Sequence, residues 1–215
     1  MKTKLIVLRV AKCGTTTIVK ELVRQAGDSN TSHIGRGPQA ANKFRTAVKL
    51  RTSLICVAPP NAGMVYDQIK HLREEAGYKL VSFQRNPYAR FISSWAFCAN
   101  GGNVFQYPLP KMSPWDLLQL RDYQLNEIQW AHTFQQQTDI CRPGKVDYTI
   151  RTEELNSCFN ELANDTGYNQ RKLPHRNKST HEPWESYYYK DSRLIQEVKR
   201  RFYHDIKDLP YDAPI

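Results

Sequence analysis

The segment from Lys4 to Gly27 constrains the fold more than any other. Four consecutive apolar residues, Leu5-Ile6-Val7-Leu8, precede a polar stretch, and from Thr15 the apolar positions Ile18, Val19, Leu22, Val23 and Ala26 recur at helical spacing as far as Gly27. A strand that is apolar at successive positions is buried on both faces, as the central strands of parallel sheets are. The helical stripe covers one side of such a sheet, and Gly27 supplies a residue at ease in a left-handed cap. Lys4 to Val10 is thus expected as a strand, followed by a loop of phosphate size and a helix.

The alternation continues. Extended structure is predicted near Ser32 to Ile34, a helix over Gln39 to Leu50, a strand over Ser53 to Ala58, a helix over Ala62 to Ala76 and a strand over Lys79 to Gln84. Pro87 stands at a first-turn position and opens a helix carrying Phe91, Ile92, Trp95 and Cys98. After a loop from Asn100 to Pro110, Ser113-Pro114-Trp115-Asp116 reads as a capped start to a helical stretch reaching about Gln137. A last strand over Val146 to Ile150, a helix over Glu153 to Thr166, a polar loop over Leu173 to Pro183 and a terminal helix over Ser192 to Ile206 complete the chain. The fold class is α/β, a single domain over residues 1–215 with a mainly parallel central sheet flanked by helices. In such folds ligands bind beyond the carboxyl ends of the strands. Residues of about 96–145 are expected to form a helical insert at the substrate cleft.

Charge narrows the partners. Lys and Arg outnumber Asp and Glu by 31 to 21, an excess that favours anionic ligands. The densest basic groups, Arg171-Lys172 with Arg176 and Lys178, and Lys199-Arg200-Arg201, are interrupted by apolar or structural positions, unlike a basic tail. Five cysteines, widely spaced and without a C-x-x-C pair, indicate neither a disulfide framework nor a zinc site. The apolar run before Arg9 is too short for a signal-peptide core or a membrane span. The expectation is a cytoplasmic chain, although a trimmed lumenal domain would read alike. Sequons at Asn30, Asn164 and Asn177 then count as chance matches.

The loop after the first strand, Val10-Ala11-Lys12-Cys13-Gly14-Thr15-Thr16-Thr17, sets a cation, a flexible glycine and three hydroxyls at a helix N-terminus. Free backbone N–H groups and the helix dipole favour an anion there. A glycine that turns the chain and a threonine that caps the helix would explain Gly14 and Thr15 but not Lys12. A Walker A loop needs two glycines with a lysine after the second, whereas Lys12 precedes a single Gly14. A cysteine-phosphatase loop would need arginine where Val19 stands, so Cys13 reads as a packing residue.

Residues Ala11 to Thr17 resemble the 5′-phosphosulfate loop of sulfotransferases that use 3′-phosphoadenosine-5′-phosphosulfate (PAPS), with Ala11 where proline is usual. Phe83-Gln84-Arg85-Asn86-Pro87-Tyr88-Ala89-Arg90-Phe91-Ile92-Ser93-Ser94-Trp95 resembles the same family's 3′-phosphate motif. Arg151-Thr152-Glu153-Glu154-Leu155, the loop Leu173-Pro174-His175-Arg176-Asn177-Lys178-Ser179 and the ending Tyr203-His204-Asp205 through Tyr211 are also similar to the family and follow in its order. The resemblance implies a P-loop-like sulfotransferase fold and the transfer of a sulfuryl group from PAPS to an acceptor hydroxyl. It assigns Lys12, Cys13, Gly14, Thr15, Thr16 and Thr17 to the phosphosulfate, Arg85 and Ser93 to the 3′-phosphate, and Arg176 and Lys178 to a loop closing over the cosubstrate. Arg90 could assist them or pair with a nearby carboxylate at the surface.

Lys12 is the expected stabiliser of charge on the leaving phosphate oxygen, with no metal required. The general base is less determined: His33 ranks first, ahead of His71, His175, Glu21 or a carboxylate of the middle region. An acidic glycan is a candidate acceptor, with Arg36, Lys43, Arg45, Lys49 and Arg51 as a basic rim and Trp115, Trp130 and Trp184 as stacking or core residues. A nucleotide-dependent phosphotransferase and a basic nucleic-acid-binding protein remain as alternatives, along with a sulfotransferase fold that binds nucleotide without catalysis. The first has neither a Walker A loop nor an obvious metal-binding acidic strand end to support it, the second leaves the two phosphate loops unexplained, and nucleic acid is not an expected partner.

Overall fold

The unbroken apolar run becomes the middle of a parallel sheet in the computed structural model, which describes residues 2–35, 39–50, 52–58, 76–99, 112–142, 144–174 and 181–214. Two compact units divide the chain: Met1–Gln84 with Asp139–Arg176, and Arg85–Thr138 with Asn177–Ile215. Among the described residues no helix is long and apolar enough to cross a membrane.

The first unit holds the sheet. Its strands are β1 (Lys4–Leu8), β2 (Thr31–Ile34), β3 (Leu54–Val57), β4 (Tyr78–Gln84) and β5 (Tyr148–Arg151), in the order β2-β3-β1-β4-β5 with every pairing parallel. The α/β class and parallel sheet are as expected. Leu5 to Leu8 are fully buried because β1 has a strand on each side, and helices α1 (Thr15–Ala26) and α2 (Ala40–Lys49) make the first two crossovers. Starting from β1, the chain lays down β2 and β3 on one side and β4 and β5 on the other. The topological switch therefore lies between β1 and β4, the place where doubly wound sheets open a crevice beyond their carboxyl ends. The segments beginning at Arg9 and Arg85 leave the sheet at those two strand ends.

Element boundaries depart from expectation in informative ways. β1 ends at Leu8, although the Arg9 N–H still donates to the Val57 carbonyl at 2.9 Å. Gly27 has φ +85° and ψ 144°, so it leaves α1 by a positive φ but without the left-handed cap. Thr152–Glu154 is a 3-10 turn preceding α7 (Leu155–Thr166) rather than the helix's first turn. The expected helix from Ala62 lies outside the described residues except for Ala76.

The second unit is helical. α3 (Pro87–Ala99), α4 (Pro114–Gln119), α5 (Glu127–Thr133), α8 (Trp184–Lys190), α9 (Arg193–Arg201) and α10 (Tyr203–Asp208) surround a core of Tyr88, Phe91, Leu117, Phe134, Tyr188 and Phe202 with their aliphatic neighbours. The chain returns to the first unit through the single turn α6 (Thr138–Cys141).

The capped start at Ser113 forms as read: its hydroxyl accepts the Asp116 N–H while Asp116 bonds back. The continuous helix to Gln137 does not. The backbone is extended at Leu120 and Arg121, and Asn126 opens a further capping box with Gln129, because side chains that satisfy free N–H groups restart a helix instead of prolonging it. The terminal helix likewise breaks at Phe202, whose φ and ψ of −113° and 40° leave the helical region while its ring enters the core.

Candidate functional site

The loop after β1 has a backbone of alternating hand. Lys12 has φ +63° and Gly14 φ +68°, and Cys13 between them is not among the positive-φ residues. Such alternation turns successive N–H groups toward one concavity, a geometry that favours anions. The Thr15 hydroxyl donates to the Val10 carbonyl at 2.8 Å and closes the base of the loop. Gly14 stands at the N-cap of α1 without a side-chain cap, and the first turn holds no acidic residue, so the positive end of the helix dipole has no carboxylate of its own turn to meet. Lys12 and Thr16 are half-buried, whereas Thr15 and Thr17 are buried. Cys13 is fully buried, as a packing residue is.

Gly14 is required twice over. A Cβ there would come within 3.3 Å of Leu155 Cδ1 and 3.5 Å of Thr152 Cγ2, in a backbone conformation that L side chains rarely adopt. The Thr152 hydroxyl donates to the carbonyl of Gln84, the last residue of β4, at 3.0 Å. The ends of β4 and β5 and the loop after β1 are thus tied together inside the first unit. Thr152 belongs to a segment singled out in the sequence, but its bracing role had no sequence signal beyond that.

In the second unit, Arg85 is held by its backbone. Its N–H donates to Gln137 Oε1 at 2.8 Å, and its carbonyl accepts from Gln137 Nε2 at 2.8 Å. Asn86 then caps α3, its Oδ1 accepting from the N–H of Tyr88 at 3.0 Å, with Pro87 at the first helical position. Asparagine and proline thus launch a helix directly behind Arg85. Ser93 lies on the buried face of α3, 3% exposed. Arg90 is not at the surface. It is buried, with Nη1 3.8 Å from Asp205 Oδ2 and its guanidinium 5.8 Å from the Phe202 ring centroid.

Of the candidate bases, His33 is exposed on the edge strand β2, in register with Cys56 of β3 and through it with Val7 of β1. It opens on a groove of about 560 Å³ lined by Ser32, His33, Gln39, Asn42, Lys43 and Thr46 among others. Glu21 is committed elsewhere. Its carboxylate receives Arg24 at 2.7 Å, Gln25 at 2.8 Å and Arg171 at 3.3 Å, and these partners, Arg24 foremost, hold its pKa below the usual carboxylate value against the opposing effect of burial. A carboxylate so stabilised in its charged form is a poor proton acceptor. His71, His175, Arg176, Lys178, Arg36 and Arg51 lie outside the described residues. Trp115 receives the Arg193 guanidinium at 4.6 Å, Trp184 meets Tyr188 edge-on, and Trp130 packs beside the second unit's core.

No curated protein matches the chain. Among solved structures it is similar to a sulfotransferase from Alicyclobacillus acidocaldarius, at 13% identity over 94% of this chain and 96% of that one, with a TM-score of 0.46. It is also similar to mouse sulfotransferase SULT7A1 complexed with PAP, at 12% identity over 98% of this chain and 69% of that one, with a TM-score of 0.49. A model of the sulfotransferase family matches residues 1–212, nearly the whole length, and the chain therefore belongs to the sulfotransferase family.

Proposed function

We propose that the protein transfers a sulfuryl group from PAPS to a hydroxyl of an acidic glycan. The observation that carries this reading is the loop of alternating hand after β1, with Lys12 and Gly14 both at positive φ. Gly14 is what lets the loop take this course, since a Cβ there would press on Leu155 in a backbone conformation that L side chains rarely adopt. The backbone of Lys12 to Thr17 would hold the phosphosulfate, with Arg85 and Ser93 on the 3′-phosphate and Arg176 and Lys178 closing over the nucleotide. When bound, PAPS supplies an activated sulfate in a mixed anhydride.

Lys12 would bring its ammonium to the leaving phosphate oxygen, where a compact cation offsets the charge that grows as the sulfur–oxygen bond lengthens. His33 would take the proton of the acceptor hydroxyl as that oxygen bonds to sulfur and the sulfur–oxygen bond to the phosphate breaks, releasing 3′-phosphoadenosine-5′-phosphate. The groove between β2 and α2, with carboxamides at Gln39 and Asn42 and the ammonium of Lys43, offers the polar and cationic lining that an acidic sugar chain requires.

Calorimetric titration with 3′-phosphoadenosine-5′-phosphate, adenosine 5′-phosphate and ATP tests the cosubstrate. Binding in the micromolar range that needs the 3′-phosphate and is lost in Arg85→Ala is the expected outcome. Equal binding of the three nucleotides overturns the reading, and magnesium-dependent ATP turnover would replace it with a phosphotransferase. An unchanged turnover in His33→Ala at saturating acceptor would remove that residue as the base.

A further inference from the structure

We propose that Gln137 is the positioning residue that aims Arg85 at the 3′-phosphate, an inference that rests on the cosubstrate reading above. β4 leaves its ladder at Gln84, which is paired with Arg151 of β5, so the N–H and C=O of the next residue need partners from elsewhere. A carboxamide carries the same donor and acceptor pair as a peptide group. Gln137 uses both, at 2.8 Å each, and so acts as a neighbouring strand one residue long. Its side chain is 0% exposed, and breaking the pair would leave polar groups inside the protein without water.

Gln137 is itself fixed from both sides along the chain. The preceding Gln136 donates to the Arg201 carbonyl at 2.7 Å and accepts from the Asp205 N–H at 3.3 Å. The following Thr138 donates its N–H and hydroxyl to Asp205 Oδ1 at 2.9 and 3.1 Å. Residues 136–138 thus form a polar splint that anchors to the end of α9 and to α10 and presents one carboxamide to Arg85. A guanidinium recognises a phosphate through directed, paired bonds, so its backbone has to be held to the same tolerance. A second reciprocal clamp, Gln25 on Asn169 with bonds of 2.9 and 2.6 Å, shows the same device binding an ordinary segment to α1. At Gln137 the residue held is the one that carries the ligand assignment.

The test is the ratio of affinities for 3′-phosphoadenosine-5′-phosphate and adenosine 5′-phosphate, by calorimetry, in wild type, Gln137→Leu, Gln137→Glu, Arg85→Ala and the Arg85→Ala/Gln137→Leu double variant. Gln137→Leu is expected to lower that ratio by about tenfold or more, with affinity for adenosine 5′-phosphate little changed, and to lower it no further on the Arg85→Ala background. Gln137→Glu keeps the acceptor for the Arg85 N–H and loses the donor to its carbonyl, and should fall between wild type and Gln137→Leu. A general loss of fold would weaken both nucleotides together and leave the ratio standing, which overturns the inference. A wild type that discriminates while Gln137→Leu discriminates equally well also overturns it and spares the cosubstrate reading. A wild type that does not discriminate removes both.

Discussion

Arg90 and Asp205 are sealed together inside the second unit, with Nη1 3.8 Å from Oδ2 and exposures of 1% and 0%. Two opposite charges taken out of water are tolerated as a pair, but removing one strands the other. Asp205 also accepts the amide and hydroxyl of Thr138. Asp205→Ala and Arg90→Met should each therefore lower unfolding free energy by about 3–5 kcal/mol. The double substitution should cost clearly less than the sum. Urea unfolding of the four proteins measures this, and strict additivity would mean that the two side chains do not act as a pair.

Gly14→Ala should be disproportionately harmful for a single methyl group. The residue holds φ +68°, and the new Cβ would stand 3.3 Å from Leu155 Cδ1, so strain of about 1–2 kcal/mol is expected from the backbone alone. Because α1 and the loop share this residue, thermal stability and nucleotide affinity should fall together. A variant that melts like wild type yet has lost nucleotide binding would place the effect in the loop only.

The parallel sheet was legible because Leu5 to Leu8 and the stripe after Thr15 carry two different periods with a polar break between them. Pro87 announces a helix start in the same local way. What escaped was contact between residues far apart in the chain. Gln137 reaches Arg85, and Thr152 reaches Gln84, through bonds that follow no periodicity. Arg90 is written like any helical arginine, and only the folding of Asp205 against it decides that it is buried. The breaks at Asn126 and Phe202 were missed for a related reason: capping and core packing interrupted helices whose apolar spacing alone could have continued.

Glu21 gives acid sensitivity a specific source. Its pKa is lowered from the ordinary 4.5, by Arg24 first, then Gln25 and Arg171, against burial. A folded-state pKa below the unfolded one stabilises the protein above the unfolded value, and that stabilisation disappears as pH falls through the folded value. Arg24 is itself largely exposed, so solvent screening reduces the effect, to about 1 kcal/mol. Compared at pH 7, Glu21→Gln should be the less stable protein. The gap should hold down to about pH 5 and close below pH 4. Denaturant titrations across that range check the sign, and a gap that widens on acidification would contradict it.

Thiol reactivity should separate one cysteine from four. Cys13, Cys56, Cys98 and Cys141 are buried, while Cys158 is half-buried on α7. Only the thiolate attacks an alkylating reagent, and burial pushes the Cys56 thiol up to about 12, so at pH 8 it is both shielded and protonated. Native protein should therefore lose one thiol rapidly to iodoacetamide, and Cys158→Ser should abolish that phase. Unfolding should expose all five. The assignment of Cys13 to packing falls within the same measurement, since rapid modification of Cys13 in the folded chain would require its side chain to leave the core.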